Sequence, residues 1–148
     1  MLNKNSKNNK GFSLVETLTV ISIMGICLAG ATLNFSKQRT KALLDNGQAS
    51  IFNALQKAQN QAISGVTGGK YGVHIEPGKV VIFEGNSYIP GSGEEIELSP
   101  LTTDQNNLDI IFNRISGKPS SGAIINISHP SSLTEKIEIT DSGVISAP

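Results

Sequence analysis

The chain has 148 residues, with 12 lysines and arginines against 12 aspartates and glutamates, a single cysteine and no tryptophan. A formal net charge of zero excludes the uniformly basic surface of a nucleic-acid-binding domain, and the lone Cys27 excludes an intrachain disulfide. The 113 residues after Phe35 suffice for one small domain and not for two.

The chain opens on a basic leader, Lys4, Lys7 and Lys10 with no acid, which ends at Gly11. The next 24 residues, Phe12 to Phe35, are largely apolar and carry one charge, Glu16. At a helical rise of about 1.5 Å per residue the run measures roughly 36 Å, enough to cross a hydrocarbon core of about 30 Å. Lysines before it and a mostly polar chain after it predict a cytoplasmic leader and an exported body; Lys37, Arg39 and Lys41 on the far side oppose that orientation. A carboxylate inside such a run is expensive and needs a partner. An ordinary secretory signal cut at Ala29-Gly30-Ala31 leaves Glu16 as a defect in the apolar region. A lipoprotein signal at Cys27 is opposed by the bulky Ile26 before it. A plain anchor leaves the carboxylate near one membrane face, eased only by snorkelling.

Gly11-Phe12-Ser13-Leu14-Val15-Glu16, after a lysine-bearing leader and before an apolar helix, resembles the processing site of type IV prepilins and type II secretion pseudopilins. The resemblance implies that prepilin peptidase cuts after Gly11 on the cytoplasmic side and methylates Phe12 as the new amino terminus. Glu16 becomes the fifth residue of the mature chain, which the family uses to meet the terminal amine of a neighbouring subunit. Burial among stacked helices would leave either charge at a cost of several kcal/mol if unpaired, so the pair acts as a register device more than a source of stability. One departure from many pilins is the lack of proline from residue 12 to residue 76; Gly25 and Gly30 are the only breakers in the apolar run. Loss of the leader takes three of the 12 basic residues and leaves the mature chain at about minus three.

From Ser36 to Ser64 the apolar residues Leu44, Ile51, Leu55, Ala58 and Ala62 fall on one helical face. Gly65 and Gly68-Gly69 mark the end of that helix, and Gly47 is a candidate bend. After Gly69 the period changes to that of strands. Tyr71–Ile75 and Lys79–Glu84 flank the turn Glu76-Pro77-Gly78. Further strands are expected at Glu94–Leu98, Leu108–Phe112, Ala123–Ser128, Glu135–Thr140 and Val144–Ser146. This order predicts an α+β fold, one long N-terminal helix packed on a C-terminal antiparallel β-sheet domain. Its expected divisions are a leader over 1–11, a membrane or filament-core helix over 12–35, an amphipathic continuation over 36–64 and a β-rich head over 65–148. The C-terminal half, from Leu108-Asp109-Ile110-Ile111-Phe112 to Gly143-Val144-Ile145, is similar to the H-type pseudopilins and FimT-like minor pilins; the D-type competence pseudopilin has a similar layout.

Catalytic motifs fail on inspection. Gly85-Asn86-Ser87-Tyr88-Ile89 lacks the second glycine of a nucleophile elbow, and Gly69-Lys70 is followed by Tyr71 where a P-loop needs serine or threonine. His74, in a hairpin strand, and His129, before Pro130, have no metal-ligand spacing. Glu94, Glu95 and Glu97 read as the charged edge of a strand. Asp104, Asp109 and Asp141 belong to no calcium-loop pattern. No metal and no cofactor is expected. Lys37, Arg39 and Lys41 suit lipid headgroups or acidic residues of adjacent subunits, and the lysine-free end from Asp141 to Pro148 argues against nucleic acid as a partner.

The resemblance therefore implies a non-enzymatic subunit of a pilus-like filament, a minor pseudopilin or minor pilin. Its implied partners are prepilin peptidase, other pilin subunits, the inner-membrane assembly platform and the lipid bilayer. It would be a single-pass inner-membrane protein with a cytoplasmic N-terminus, later drawn into an extracytoplasmic filament. The alternatives are a major pilin, or a secreted binding domain whose ordinary signal is cleaved near Ala31.

Overall fold

The computed structural model describes residues 11–65, 68–130 and 133–147; within the helix, the side chains of 31–36 are outside the description. The chain separates into two compact units, Met1–Gln38 and Arg39–Pro148, and each is taken by itself.

Helix α1 (Leu14–Ser64) belongs to the first unit up to Gln38 and to the second from Arg39. In the first unit, over 14–30, apolar side chains lie on every side of the helix, and Leu14, Val15, Leu18, Ile21, Ile23 and Ile26 are all exposed. A helix apolar all round normally lies inside a larger protein or a membrane. Among the described residues no helix is long and apolar enough to cross a membrane. The segment expected to do so, 12–35, has described side chains only as far as Gly30, and the leader residues 1–10 are outside the description.

In the second unit α1 becomes one-sided. Leu44, Ile51, Leu55, Ala58 and Ala62 are buried, as their spacing predicts, and Ala54 joins them. Gly47 marks no bend, since the helix runs through it. A Cβ there would stand 2.1 Å from Leu101 Cδ1, so the glycine admits the side chain of a following loop. The helix stops at Gly65, whose φ of 61° suits the left-handed cap position and whose N–H donates to Gln61 O at 3.2 Å.

The expected single sheet is two four-stranded antiparallel sheets. The first contains β1 (Tyr71–Glu76), β2 (Lys79–Glu84), β3 (Glu94–Glu97) and β5 (Leu108–Phe112), in the order β3-β2-β1-β5. The second contains β4 (Thr102–Thr103), β6 (Ala123–Ser128), β7 (Thr134–Ile139) and β8 (Ile145–Ser146), in the order β4-β6-β7-β8. Pro77 and Gly78, with φ of 81° at the glycine, form the type II turn that aligns Glu76 with Lys79. The first sheet stops at β5 because Pro119 lies against Phe112 on its free edge. Proline has no N–H to extend a ladder, and the chain then leaves for the second sheet.

Val73 and Ile75, Val80 and Ile82, Ile110 and Phe112, Ile125 and Ile127, and Ile137 and Ile139 form one core with the α1 stripe. The period-two alternation puts these residues on the inner faces. Two helix glutamines add polar ties to the backbone: Gln48 Nε2 donates to Lys136 O at 3.0 Å, and Gln59 Nε2 to Gly117 O at 2.9 Å and Gly143 O at 2.8 Å. The bonds to Gly117 and Gly143 satisfy carbonyls in loops, and the bond to Lys136 ties the helix to β7.

Ile115 breaks a backbone rule. Its φ is 67°, a left-handed conformation that costs a β-branched residue about 1–2 kcal/mol. Its N–H is fixed by donation to Ala62 O at 3.0 Å, while its side chain is 72% exposed. Ile115→Gly removes the strain and forfeits almost no burial, against a backbone entropy cost of about 0.5–1 kcal/mol. The variant should gain about 1 kcal/mol in urea unfolding followed by circular dichroism.

Candidate functional site

The sequence-predicted site lies at the start of α1. Gly11 and Phe12 precede the helix and are exposed, Phe12 by 82%. Ser13 O accepts from the backbone N–H of Glu16 at 3.0 Å and of Thr17 at 3.1 Å, which puts Ser13 at the cap position and Glu16 in the first turn. Ser13-x-x-Glu16 is also the spacing of a capping box. Among the described residues, however, no hydrogen bond or ion pair reaches the Glu16 carboxylate. The helix dipole favours an acid in this turn by about 0.3–1 kcal/mol, far less than burial of an unpaired carboxylate costs.

The other polar side chains of this stretch of helix turn inward to their own backbone. Thr17 Oγ1 donates to Leu14 O at 2.9 Å, Thr19 Oγ1 to Glu16 O at 2.8 Å and Ser22 Oγ to Leu18 O at 2.8 Å. Such bonds satisfy a hydroxyl without water. Glu16 is thus the one charged group in an apolar surface whose hydroxyls are already paired. Phe12, Glu16, Thr17, Val20 and Ile21 line a shallow groove of about 260 Å³ on one helix face.

The remaining candidates resolve into structural roles. His74 is 6% exposed on the outer face of the first sheet. Its Nδ1 meets Asp109 Oδ1, its cross-strand partner, and its Nε2 stands 3.1 Å from Glu76 Oε1. Tyr88 stacks on the ring at 4.1 Å and donates its backbone N–H to Asp109 Oδ2 at 3.2 Å. The two ring nitrogens face different carboxylates, so they do not converge on one ion. Nothing in the sequence pattern signals this clasp beyond one polar residue in an apolar strand; the register that opposes His74 to Asp109 becomes visible only in the fold.

Glu94, Glu95 and Glu97 lie on β3, the edge strand, and are exposed as a charged edge should be. Lys57 pairs with Glu94, and Lys79 with Glu95 at 3.4 Å and Glu76 at 3.3 Å. Glu76, by hydrogen bonding, and Glu95 hold the Lys79 ammonium above its ordinary pKa. Asp104, Asp109 and Asp141 do not meet. Asp104 accepts from the backbone and side chain of Asn126 at 2.9 and 2.7 Å, and Asp141 accepts from Gly122 N–H at 2.6 Å. Among the described residues no three His, Cys, Asp or Glu side chains form a group able to hold a metal. His129 is on a loop, where its N–H donates to Leu133 O at 3.1 Å. Lys37, Arg39 and Lys41 are exposed along α1.

Helix, sheets and N-terminal segment define a class: an α+β pilin-like fold behind a prepilin-type N-terminal methylation motif. Residues 6–32 match the family described as the prokaryotic N-terminal methylation motif. The fold is similar to that of the type IV minor pilin FimU of Pseudomonas aeruginosa, at 13% identity and a TM-score of 0.60, over 74% of this chain and 90% of that one. It is also similar to the minor pseudopilin EpsH from the type 2 secretion system of Vibrio cholerae, at 12% identity and a TM-score of 0.54, over 71% of this chain and 95% of that one. No curated protein sequence matches the chain significantly.

Proposed function

We propose that this chain is a structural subunit of a type IV pilus-like filament, a minor pseudopilin or minor pilin serving a secretion, pilus or competence machine. The observation that carries the reading is the carboxylate of Glu16, without a partner among the described residues, at the head of an apolar stretch of helix whose described hydroxyls are bonded to its own backbone. The matched methylation motif and the likeness to two minor subunits support it.

In this reading the apolar run holds the precursor in the inner membrane with its N-terminus in the cytoplasm. Prepilin peptidase cuts after Gly11 and methylates Phe12. The assembly platform then draws the helix into the filament, where Glu16 accepts the Phe12 amine of an adjacent subunit. The apolar groove beside Glu16 gives that ion pair water-poor surroundings, in which its geometry sets axial register.

The test is the mass of the mature N-terminal peptide, isolated from membranes of cells that contain prepilin peptidase. A methylated Phe12 is expected. A start at Thr32 would mean that an ordinary signal peptide had been removed, and the filament reading would fall.

A further inference from the structure

Along β1 the side chains alternate, so Val73 and Ile75 enter the core while Gly72, His74 and Glu76 take the outer face of the first sheet. On that face the His74 ring is buried between two carboxylates, with Nδ1 against Asp109 Oδ1 of β5 and Nε2 at 3.1 Å from Glu76 Oε1 of its own strand. An ionised carboxylate only accepts, and a neutral imidazole has one N–H to give. The imidazolium has two and satisfies both contacts at once. Loss of either proton turns a ring lone pair toward a carboxylate at hydrogen-bond distance, and the two repel. The rest of this face is apolar or already paired. Val81 lies opposite His74 on β2. Lys79 meets Glu76 Oε2 at 3.3 Å and Glu95 of β3 at 3.4 Å, and Glu97 stands across from Lys79.

The same clasp fixes the loop from Gly85 to Gly93. Tyr88 lays its ring on His74 at 4.1 Å and donates its backbone N–H to Asp109 Oδ2 at 3.2 Å. Asp109 therefore holds the imidazole with one oxygen and the loop with the other. Beneath the loop are Val81 and Phe83, which are buried although they lie on the outer face. The Tyr88 ring is 5.9 Å from that of Phe83, and a Cβ on Gly93 would stand 2.9 Å from Val81 Cγ1. Gly85 and Gly93, with φ of 128° and 106°, end the loop in conformations that glycine alone adopts readily. The loop is thus a cover over two apolar side chains, fastened in its middle through Tyr88 and ended by two glycines.

We propose that His74 is a pH-sensitive latch for this cover. With the ring charged, Asp109, Glu76 and Tyr88 are drawn together and the loop lies closed over Val81 and Phe83. With the ring neutral, the clasp keeps one of its two bonds, the remaining carboxylate faces a lone pair, and the loop is released. The latch is closed in acid and opens as the pH rises. Histidine is the side chain that ordinarily changes charge between about pH 5 and about pH 8, and here the change is coupled through Asp109 to nine residues of backbone, Gly85 to Gly93. The device belongs to the head and is independent of the processing of Phe12 and of the filament reading.

The chain has two tyrosines, so ring-labelled tyrosine in the full chain in detergent gives two sets of NMR signals, assigned with Tyr88→Phe. The Tyr88 signals should follow a one-proton step between about pH 5 and about pH 8. Across that step the exchange protection of the Tyr88 amide, corrected for the intrinsic rate at each pH, should fall at least about fivefold. His74→Gln should remove the loss of protection. Glu76→Gln should remove it with the loop closed throughout, because an amide donates to the ring lone pair that a carboxylate repels. Tyr88 protection indifferent to pH in the parent, or the same loss surviving in either variant, overturns the latch. Glu76→Gln decides alone if the His74 variant does not fold.

Discussion

Glu16→Gln should pass through membrane insertion and cleavage unchanged and then fail at incorporation. The neutral amide keeps the shape of the side chain but, in the proposed filament, would leave the Phe12 amine of the adjacent subunit without a counter-charge. Breaking a buried ion pair from one side costs about 3–5 kcal/mol when the remaining charge is retained. The amine has an escape, since an α-amino group has an ordinary pKa of about 7.7–8.0 and neutralising it at pH 7 costs only about 1 kcal/mol. Incorporation should therefore fall by at least about fivefold at pH 7, measured as the share of subunit that co-purifies with its filament partners. The sign of the pH dependence follows. Raising the pH to 9 neutralises the amine, so the defect of Glu16→Gln relative to the parent should shrink. Equal incorporation of variant and parent at pH 7 would remove the register role.

Phe112→Ala should damage the head and spare the N-terminal events. Phe112 is fully buried on β5, between Tyr71 of β1 and the bridge to Pro119. Truncating a buried phenylalanine costs about 3–5 kcal/mol from lost transfer energy and the cavity left behind. A domain of this size holds about 5–15 kcal/mol in all, and no disulfide supports it because the only cysteine is Cys27. The urea midpoint of the full chain in detergent, followed by circular dichroism, should fall by about a fifth or more. Loss below about 1 kcal/mol would mean that the site collapses around the gap or that Phe112 is not core.

What was legible in the sequence follows from how local each signal is. The buried stripe from Leu44 to Ala62 could be read because helical spacing alone selects a face. The β1–β2 hairpin could be read because Pro77 and Gly78 fix their own turn. The β5 and β6 runs were equally plain, since Leu108, Ile110 and Phe112 fill one face of β5 and Ile125 and Ile127 one face of β6. The division into two sheets was not legible. Alternation identifies a strand but not its partner, and the break at Pro119 acts only once β5 has become an edge. β4, two threonines long, carries too little pattern to register. Gly47 looked like a helix defect because its partner, Leu101, is 54 positions away. The site divides the same way. Glu16 was conspicuous as the one charge in an apolar run, whereas the roles of His74, Gln48 and Gln59 depend on carbonyls and carboxylates that pairing brings to them from distant sequence.

The inward-turned hydroxyls of Thr17, Thr19 and Ser22 have a consequence for transport. A side chain whose donor is bound to its own helix carries its partner along, so the segment has no hydroxyl bonds to exchange when lipid is replaced by neighbouring helices. For those groups the two surroundings are close to equivalent, and the helix can pass from one to the other on packing differences alone. In the proposed filament the direction of travel rests on Glu16, the one charged group in this stretch, whose energy would change sharply between a place that offers it an amine and a place that does not.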